Sequence, residues 1–455
     1  MGHLKNAVVV GAGVGGLAAA GALADHFENV ILLERDELPP GPRSRSGVPQ
    51  SSQIHNMLLG GLSALCEIFP GIDQDLTDAG AVHCRINLDR REEWPGYETF
   101  PRRDLGWHVY NMSRPLIEFV LRERVMKLPA VRLRAKCRVI DLVAAEDGSV
   151  VGVRCENADR ARETIPADLV IDASGRGALT LAFLKATGRP EPEISTVGID
   201  VSYATTTFEL PAGTRDWKQV ITYPEFPDHI RGGVLMLIEG NRWQALVGHR
   251  HAEAPPANLA GFLEFSRELR TPTIYNAIKD AIPLDVIHRY GFPESRWVHY
   301  ERIGDFPPGL LPLGDAISHF NPIYGQGMTV AAKQAALLKT LLQDRAGAAD
   351  RSNELWPIFF LKEAASMVSV AWTMSAMPDF AHPMTRGERP ANLQMILKRQ
   401  SEISRAAARD PVIHKLMLEV RQMIKPPAAF SDPDIVRRLD ALSETESGAP
   451  AAGAG

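Results

Sequence analysis

The chain has 455 residues, 23% of them charged and 45% hydrophobic, with a formal net charge of -5, a length that predicts two or three packed units rather than one core. Lysines and arginines are scattered and never run between aromatics, which excludes a nucleic-acid footprint, and the near-average composition excludes general disorder and a membrane-embedded class. Cys66, Cys84, Cys137 and Cys155 lie far apart without C-x-x-C spacing, so no zinc or disulfide framework is expected and free thiols in a reducing compartment are.

In chain order, an apolar strand over residues 7–10 leads through a glycine-rich turn into an Ala/Leu helix reaching about residue 27, then a second strand over 30–34: a βαβ opening. The strand starts within a few residues of Met1 and leaves no room for a secretory signal, so a cytoplasmic address is expected. A basic loop over 39–49 precedes a helical pattern from His55 to Phe69. Ser113, Arg114 and Pro115 form a helix start, a capping serine followed by a proline tolerated in the first turn. Strands over 139–144 and 150–155 flank Asp147-Gly148, a hairpin signal, and a buried strand over 169–172 ends at Asp172.

From residue 190 to 300 the pattern is strand-like, with one helical interlude over 259–278, and reads as an antiparallel sheet inserted into the first unit. A buried strand over 310–314 and a helix over 328–342 return the chain to that unit. Helices are expected over 353–423 and a structureless tail at the end. The resulting division is 1–78, 105–189 and 301–345 for a nucleotide-binding unit, 79–104 and 190–300 for a second unit, 346–430 helical, and 431–455 tail. Residues 364–377 are apolar but shorter than the ~20 residues a spanning helix needs, so no membrane span is expected.

Two motifs carry chemistry. Gly11-Ala12-Gly13-Val14-Gly15-Gly16 joins strand to helix, where glycines let the backbone approach a pyrophosphate at the helix N-terminus. Glu34, followed by Arg35, closes the next strand and places a carboxylate to accept from a ribose. FAD and NAD share this fingerprint. The second motif, Leu311 to Met328, delivers Asp315 from a buried strand and opens a helix at Gly325-Gln326-Gly327, whose positive end suits the pyrimidine edge of a reduced flavin.

With these residues in place the chain resembles the FAD monooxygenases, in particular the squalene-epoxidase-like and bacterial polyether flavin epoxidase branch related to single-component flavoprotein hydroxylases. The resemblance rests on R-S-G-V-P-Q (Arg45 to Gln50) with His55, on D-A-S-G-R-G (Asp172 to Gly177), on F-N-P-I-Y-G-Q-G-M (Phe320 to Met328), and on the N-terminal glycines, Glu34 and the Arg114 helix start. It implies an α/β fold with a Rossmann-type, glutathione-reductase-like FAD domain, an inserted antiparallel-sheet substrate domain and C-terminal helices. It implies FAD contacts from the glycine motif, Glu34, Arg35, Arg45, Gln50, His55, Arg114, Val139, Asp172, Gly175, Gly314, Asp315, Pro322, Gly325, Gln326, Gly327 and Met328. His55 also reads as a buried structural histidine.

The implied chemistry is insertion of one oxygen atom from O2 through a C4a-(hydro)peroxyflavin, by epoxidation or hydroxylation, with electrons from NAD(P)H directly or through a partner flavin reductase. Ser174 stands where aromatic hydroxylases of the wider family carry aspartate, which counts against direct reduction by bound NAD(P)H. Strand placement makes Tyr203, Met236, Phe320 and Tyr324 wall residues for a lipophilic, secondary-metabolite-like substrate of polyketide or terpenoid kind. No acid-base residue is assigned, because the flavin carries the chemistry. The W-x-W-x-I pattern of flavin halogenases is missing around Trp297. His249-Arg250-His251 reads as a solvated loop with no metal role, and Met367, Met374 and Met377 as core filler or pocket wall. Alternatives are an FAD-dependent reductase resembling geranylgeranyl reductases, which passes hydride, and a cyclase in which FAD is not turned over.

Overall fold

The computed structural model describes residues 4–97, 99–175, 178–213, 215–225, 229–251, 254–347 and 356–447. The N-terminal apolar run forms the strand Leu4–Val10 at the centre of a five-stranded parallel sheet. Its neighbours are Leu169–Asp172 on one side and Phe27–Leu33 on the other, with Leu310–Pro312 and Val131–Arg134 at the edges. Residues Ala7, Val8 and Val9 are fully buried because helices or strands cover both faces, the usual condition of a parallel sheet. The helix Val14–Leu23 is buried along nearly its whole length, lying against the long helix Gly327–Gly347. It ends at Leu23, and Phe27, expected as its last residue, instead opens the second strand.

The second sheet has seven strands in the order Ser318–His319, His288–Val298, Ile194–Glu209, Arg242–Arg250, Gly232–Ile238, Gln219–Thr222 and Arg90–Glu93. All pairings are antiparallel except the last, so the excursion that contains Arg90 completes the sheet built mainly from residues 190–300. Side chains alternate across it. Phe208, Val220, Leu235, Ala245 and Val247 face the helices Leu259–Arg267 and Thr273–Ile278 in one apolar core. The expected single helix over 259–278 is thus two, with Pro272 as the N-cap of the second.

Other differences have local causes. The pattern from His55 becomes a helix only at Leu59–Ile68, because residues 49–58 are pinned to the inserted sheet: Gln244 Nε2 donates to Ser52 O at 3.1 Å and Thr205 Oγ1 to Gln53 Oε1 at 2.5 Å. The C-terminal region is the helices Trp356–Asp379, Leu393–Arg409 and Pro411–Arg421. The stretch expected to be a structureless tail carries the helix Pro433–Ser447, whose Leu439 is buried against Phe100, Ala407 and Met417. Residues 448–455 lie outside the described residues. Among the described residues no helix is long and apolar enough to cross a membrane.

Candidate active site

Between the C-terminal ends of the parallel strands and the open face of the seven-stranded sheet lies one cavity of about 2000 Å³. One end begins at Gly11, whose φ of +101° leaves no room for a side chain, since a Cβ there would stand 2.5 Å from Ala173 O. Gly13 faces open space at the N-terminus of Val14–Leu23, so a Cβ there would project into the room a phosphate needs. Gly16 does not reach the wall: a Cβ on it would stand 1.8 Å from Gly11 O, and its task is to let the helix pack on the loop.

Glu34, 4% exposed, holds this loop by accepting from Ala12 N at 2.9 Å and Asp36 N at 3.0 Å, with Arg45 Nη1 at 3.1 Å. Three donors on a carboxylate with about four lone-pair sites leave about one for a ribose hydroxyl. Arg45 also reaches Asp36 at 2.8 Å and Glu118 at 2.7 Å, and Arg114 reaches Glu118 at 3.0 Å. Burial alone would lower Arg45, but Glu118, Glu34 and Asp36 around it raise it. Burial alone would raise Asp36, but Arg45 and the Gly47 amide 2.6 Å away hold it below the usual carboxylate range. Arg114 lines the cavity, is driven down by burial, and has a buried Nη1 without a partner, a donor set for an anionic ligand group. The gap before the helix, the spare acceptor position on Glu34 and this orphaned guanidinium nitrogen fit an FAD.

Val139, Arg35, Gln50, His55 and Gly175 line the same cavity. His55 is pushed down to about 4 by burial and by Arg114, so it is neutral at pH 7; with its Nδ1 2.8 Å from Gln53 O, the donating tautomer leaves Nε2 as an acceptor. Asp172 does not line the cavity. It accepts from Ser174 N and Oγ and from Thr180 N and Oγ1, at 2.6 to 3.2 Å, and so ties the loop after the strand to the next helix. Ser174 is thereby spent on Asp172; Arg176 and Gly177 lie outside the described residues.

At the other end Gly314, Asp315, Pro322, Gly325, Gln326, Gly327 and Met328 line the cavity together, with Gly325 at φ +69° turning the chain into the helix Gly327–Gly347. Gln326 is 2% exposed and its Oε1 has no partner. Tyr203, Phe320 and Tyr324 are in the wall as expected, and Tyr203 stacks on Tyr290 with centroids 6.2 Å apart. Met236 is fully buried and lies outside the wall. Met374 lines the cavity, whereas Met377 packs against Phe380 in the core.

His249-Arg250-His251 corrects the sequence reading most. It is not a solvated loop: His249 and Arg250 end the buried strand Arg242–Arg250, and Arg250 Nη1 pairs with Asp379 Oδ1 at 2.7 Å. Asp379, fully buried at the end of Trp356–Asp379, also accepts from Asn321 Nδ2 at 3.0 Å and Tyr324 OH at 2.9 Å. Burial pushes the Asp379 carboxyl up while Arg250, Tyr324 and Asn321 pull against it. The network clamps the 321–325 turn between the inserted sheet and the C-terminal helix. Two signals for it were visible: a lone aspartate closing an apolar helix, and an arginine continuing a strand alternation. Among the described residues no group of three or more metal-ligating side chains is placed to hold an ion.

Residues 6–185 match the family model described as FAD dependent oxidoreductase. Over 431 residues the chain is 32% identical to Protein Rv3254 of Mycobacterium tuberculosis (strain ATCC 25618 / H37Rv), covering 91% of this chain and 88% of that one. It is 27% identical over 336 residues to digeranylgeranylglycerophospholipid reductase 2 of Methanopyrus kandleri, covering 70% and 72%. Its fold is shared with flavin-dependent brominase Bmp2, at a TM-score of 0.64 and 14% identity over 98% of this chain and 100% of that one.

Proposed function

The chain belongs to the FAD-dependent oxidoreductase family, and on that premise we propose that it is a monooxygenase that places one atom of O2 in a lipophilic, secondary-metabolite-like substrate by epoxidation or hydroxylation. The observation that supports this reading is the continuity of the cavity. One ligand site commonly takes about 300–1000 Å³, whereas this one offers about 2000 Å³ from the glycine turn to an apolar sheet face, room for a cofactor and an organic substrate together. When bound, FAD supplies the redox chemistry, accepting two electrons and passing them on to oxygen.

The chain's own residues bind, orient and exclude water. The N-terminus of Val14–Leu23 and Gly13 would receive the pyrophosphate, Glu34 the ribose and Arg114 an anionic group of the cofactor. Gly325 to Met328 support the ring end, where the N-terminus of Gly327–Gly347 favours negative charge. The clamp of Arg250, Asp379, Asn321 and Tyr324 fixes that turn, and the aromatic wall of Tyr203, Tyr290 and Phe320 keeps bulk water from the reacting centre. Electrons come from NAD(P)H, directly or through a partner flavin reductase. The engagement of Ser174 by Asp172 favours the partner route, since that position holds no carboxylate for a nicotinamide nucleotide.

The test is oxygen uptake and peroxide release by FAD-loaded protein with NADH, NADPH or an added flavin reductase, before and after lipophilic alkenes. The reading expects substrate-dependent oxygen uptake without matching peroxide, and no brominated product when bromide is present. A reductase acting on prenyl chains is the second reading, favoured by the 27% identity to the phospholipid reductase. It predicts alkene conversion by reduced protein under anaerobic conditions.

A further inference from the structure

The cavity has two unlike ends on one sheet face. Strand alternation aims Gln219 and Ile221, Val234, Leu246 and Arg250, and Tyr290 into the same space. Arg250 marks the end at the 321–325 turn. Gln219 pairs with Met236 and Met236 with Gln244, two strands across and six residues back along the strand from Arg250. At ~3.3 Å per residue and ~4.8 Å per strand, Gln219 stands roughly 20 Å from Arg250. Between them Ile221, Val234 and Leu246 give an apolar passage.

That far end is polar, and its groups are not all satisfied. Gln219 is fully buried in the cavity wall; its Oε1 accepts from Arg90 Nε at 2.8 Å, which leaves its buried Nε2 with no partner. Arg90 is 8% exposed, and its Nη1 stands 3.7 Å from Glu92 Oε1, beyond hydrogen-bond reach. Glu92 is engaged by Trp94 Nε1 at 2.8 Å. Arg421 lies over the Trp94 ring at 4.2 Å and lines the same end. The guanidinium groups of Arg90 and Arg421 around the Glu92 carboxylate, with the unpaired amide donor of Gln219 beside them, make a site for an anionic acceptor. A buried donor left unpaired is costly, so a ligand that pairs it gains more than the contact alone.

We propose, resting on the oxygenase reading of the same cavity, that the substrate is a long apolar molecule with a carboxylate at the end remote from the reacting carbon, held by Gln219, Arg90 and Arg421. The carboxylate fixes which carbon along the chain faces the 321–325 turn, so this end sets regioselectivity. The probe is oleate, titrated against FAD-loaded protein without electron donor and followed by the flavin absorbance change, beside methyl oleate, which keeps the chain and removes the charge. Oleate is expected to bind at least about tenfold more tightly than its ester, the usual worth of hydrogen bonds to a charged group. Gln219→Met and Arg421→Gln are each expected to shrink that gap severalfold while the bound-FAD spectrum stays intact, which separates loss of the site from loss of the fold. Equal binding of acid and ester, or a gap that survives both substitutions, overturns the proposal. Because no turnover is involved, the outcome is independent of whether the enzyme proves to be an oxygenase.

Discussion

The Arg250–Asp379 pair offers a sharp test of the clamp on the 321–325 turn, because its two members fail differently when left alone. Arg250 cannot shed its proton, so Asp379→Asn strands a buried cation and should cost about 3–5 kcal/mol at any pH near neutrality. Asp379 can take up a proton, and burial already pushes it above its ordinary value of 3.8. In Arg250→Met it is therefore expected to become neutral, at a cost capped by protonation: about 4 kcal/mol at pH 7 and about 2 kcal/mol at pH 5. The sign follows from the raised carboxyl, whose protonated form is favoured in the folded state, so stability is lost as pH rises. Between pH 7 and pH 5, Arg250→Met should regain at most about 2–3 kcal/mol on the unsubstituted protein, whereas Asp379→Asn, which has no titrating group at this position, should regain none. Urea unfolding of FAD-loaded proteins at the two pH values measures both. If the two variants shift in parallel with pH, the carboxylate is not the group that Arg250 keeps ionised and the clamp as described is wrong.

Further predictions concern the cofactor end. Gly11→Ala places a Cβ 2.5 Å from Ala173 O at a φ of +101°, and equilibrium dialysis should show FAD binding weakened at least about tenfold. Glu34→Ala frees the Ala12 amide and removes a partner of Arg45; FAD retention through gel filtration should fall, whereas Glu34→Gln should retain more, since it can still accept from Ala12. His55, pushed down to about 4 from 6.5, is neutral in the folded protein, so the unfolded chain binds the extra proton between those values. Stability should be full above pH 6.5 and fall by up to about 3 kcal/mol as pH drops to 4; His55→Gln should flatten that slope, with the buried His414 supplying what remains.

Much of the nucleotide end was legible because its signals are local. Gly11 to Gly16, the Ser113 cap and the Asp147-Gly148 hairpin each act within a few residues, and their elements appear near the expected positions. The alternation over 190–300 likewise gave the inserted sheet. The far side of the cavity was not legible, because contacts between distant parts of the chain build it: Arg250 meets Asp379, Arg90 meets Gln219, and Arg421 meets Trp94. Arg250 was misread for the same reason, as three polar residues in a row resemble a loop until the Trp356–Asp379 helix brings its carboxylate. Asp172 shows the reverse error, a motif residue that holds its own loop and leaves the cavity to others.

Oxygen insertion and hydride transfer are separated by mixing anaerobically reduced, FAD-loaded protein with 18O2 and a long unsaturated carboxylic acid and weighing the products by mass spectrometry. The account predicts a product heavier by one labelled oxygen atom, formed only when oxygen is admitted. A saturated product appearing without oxygen, with no label incorporated when oxygen is present, would contradict it and leave the reductase reading in its place.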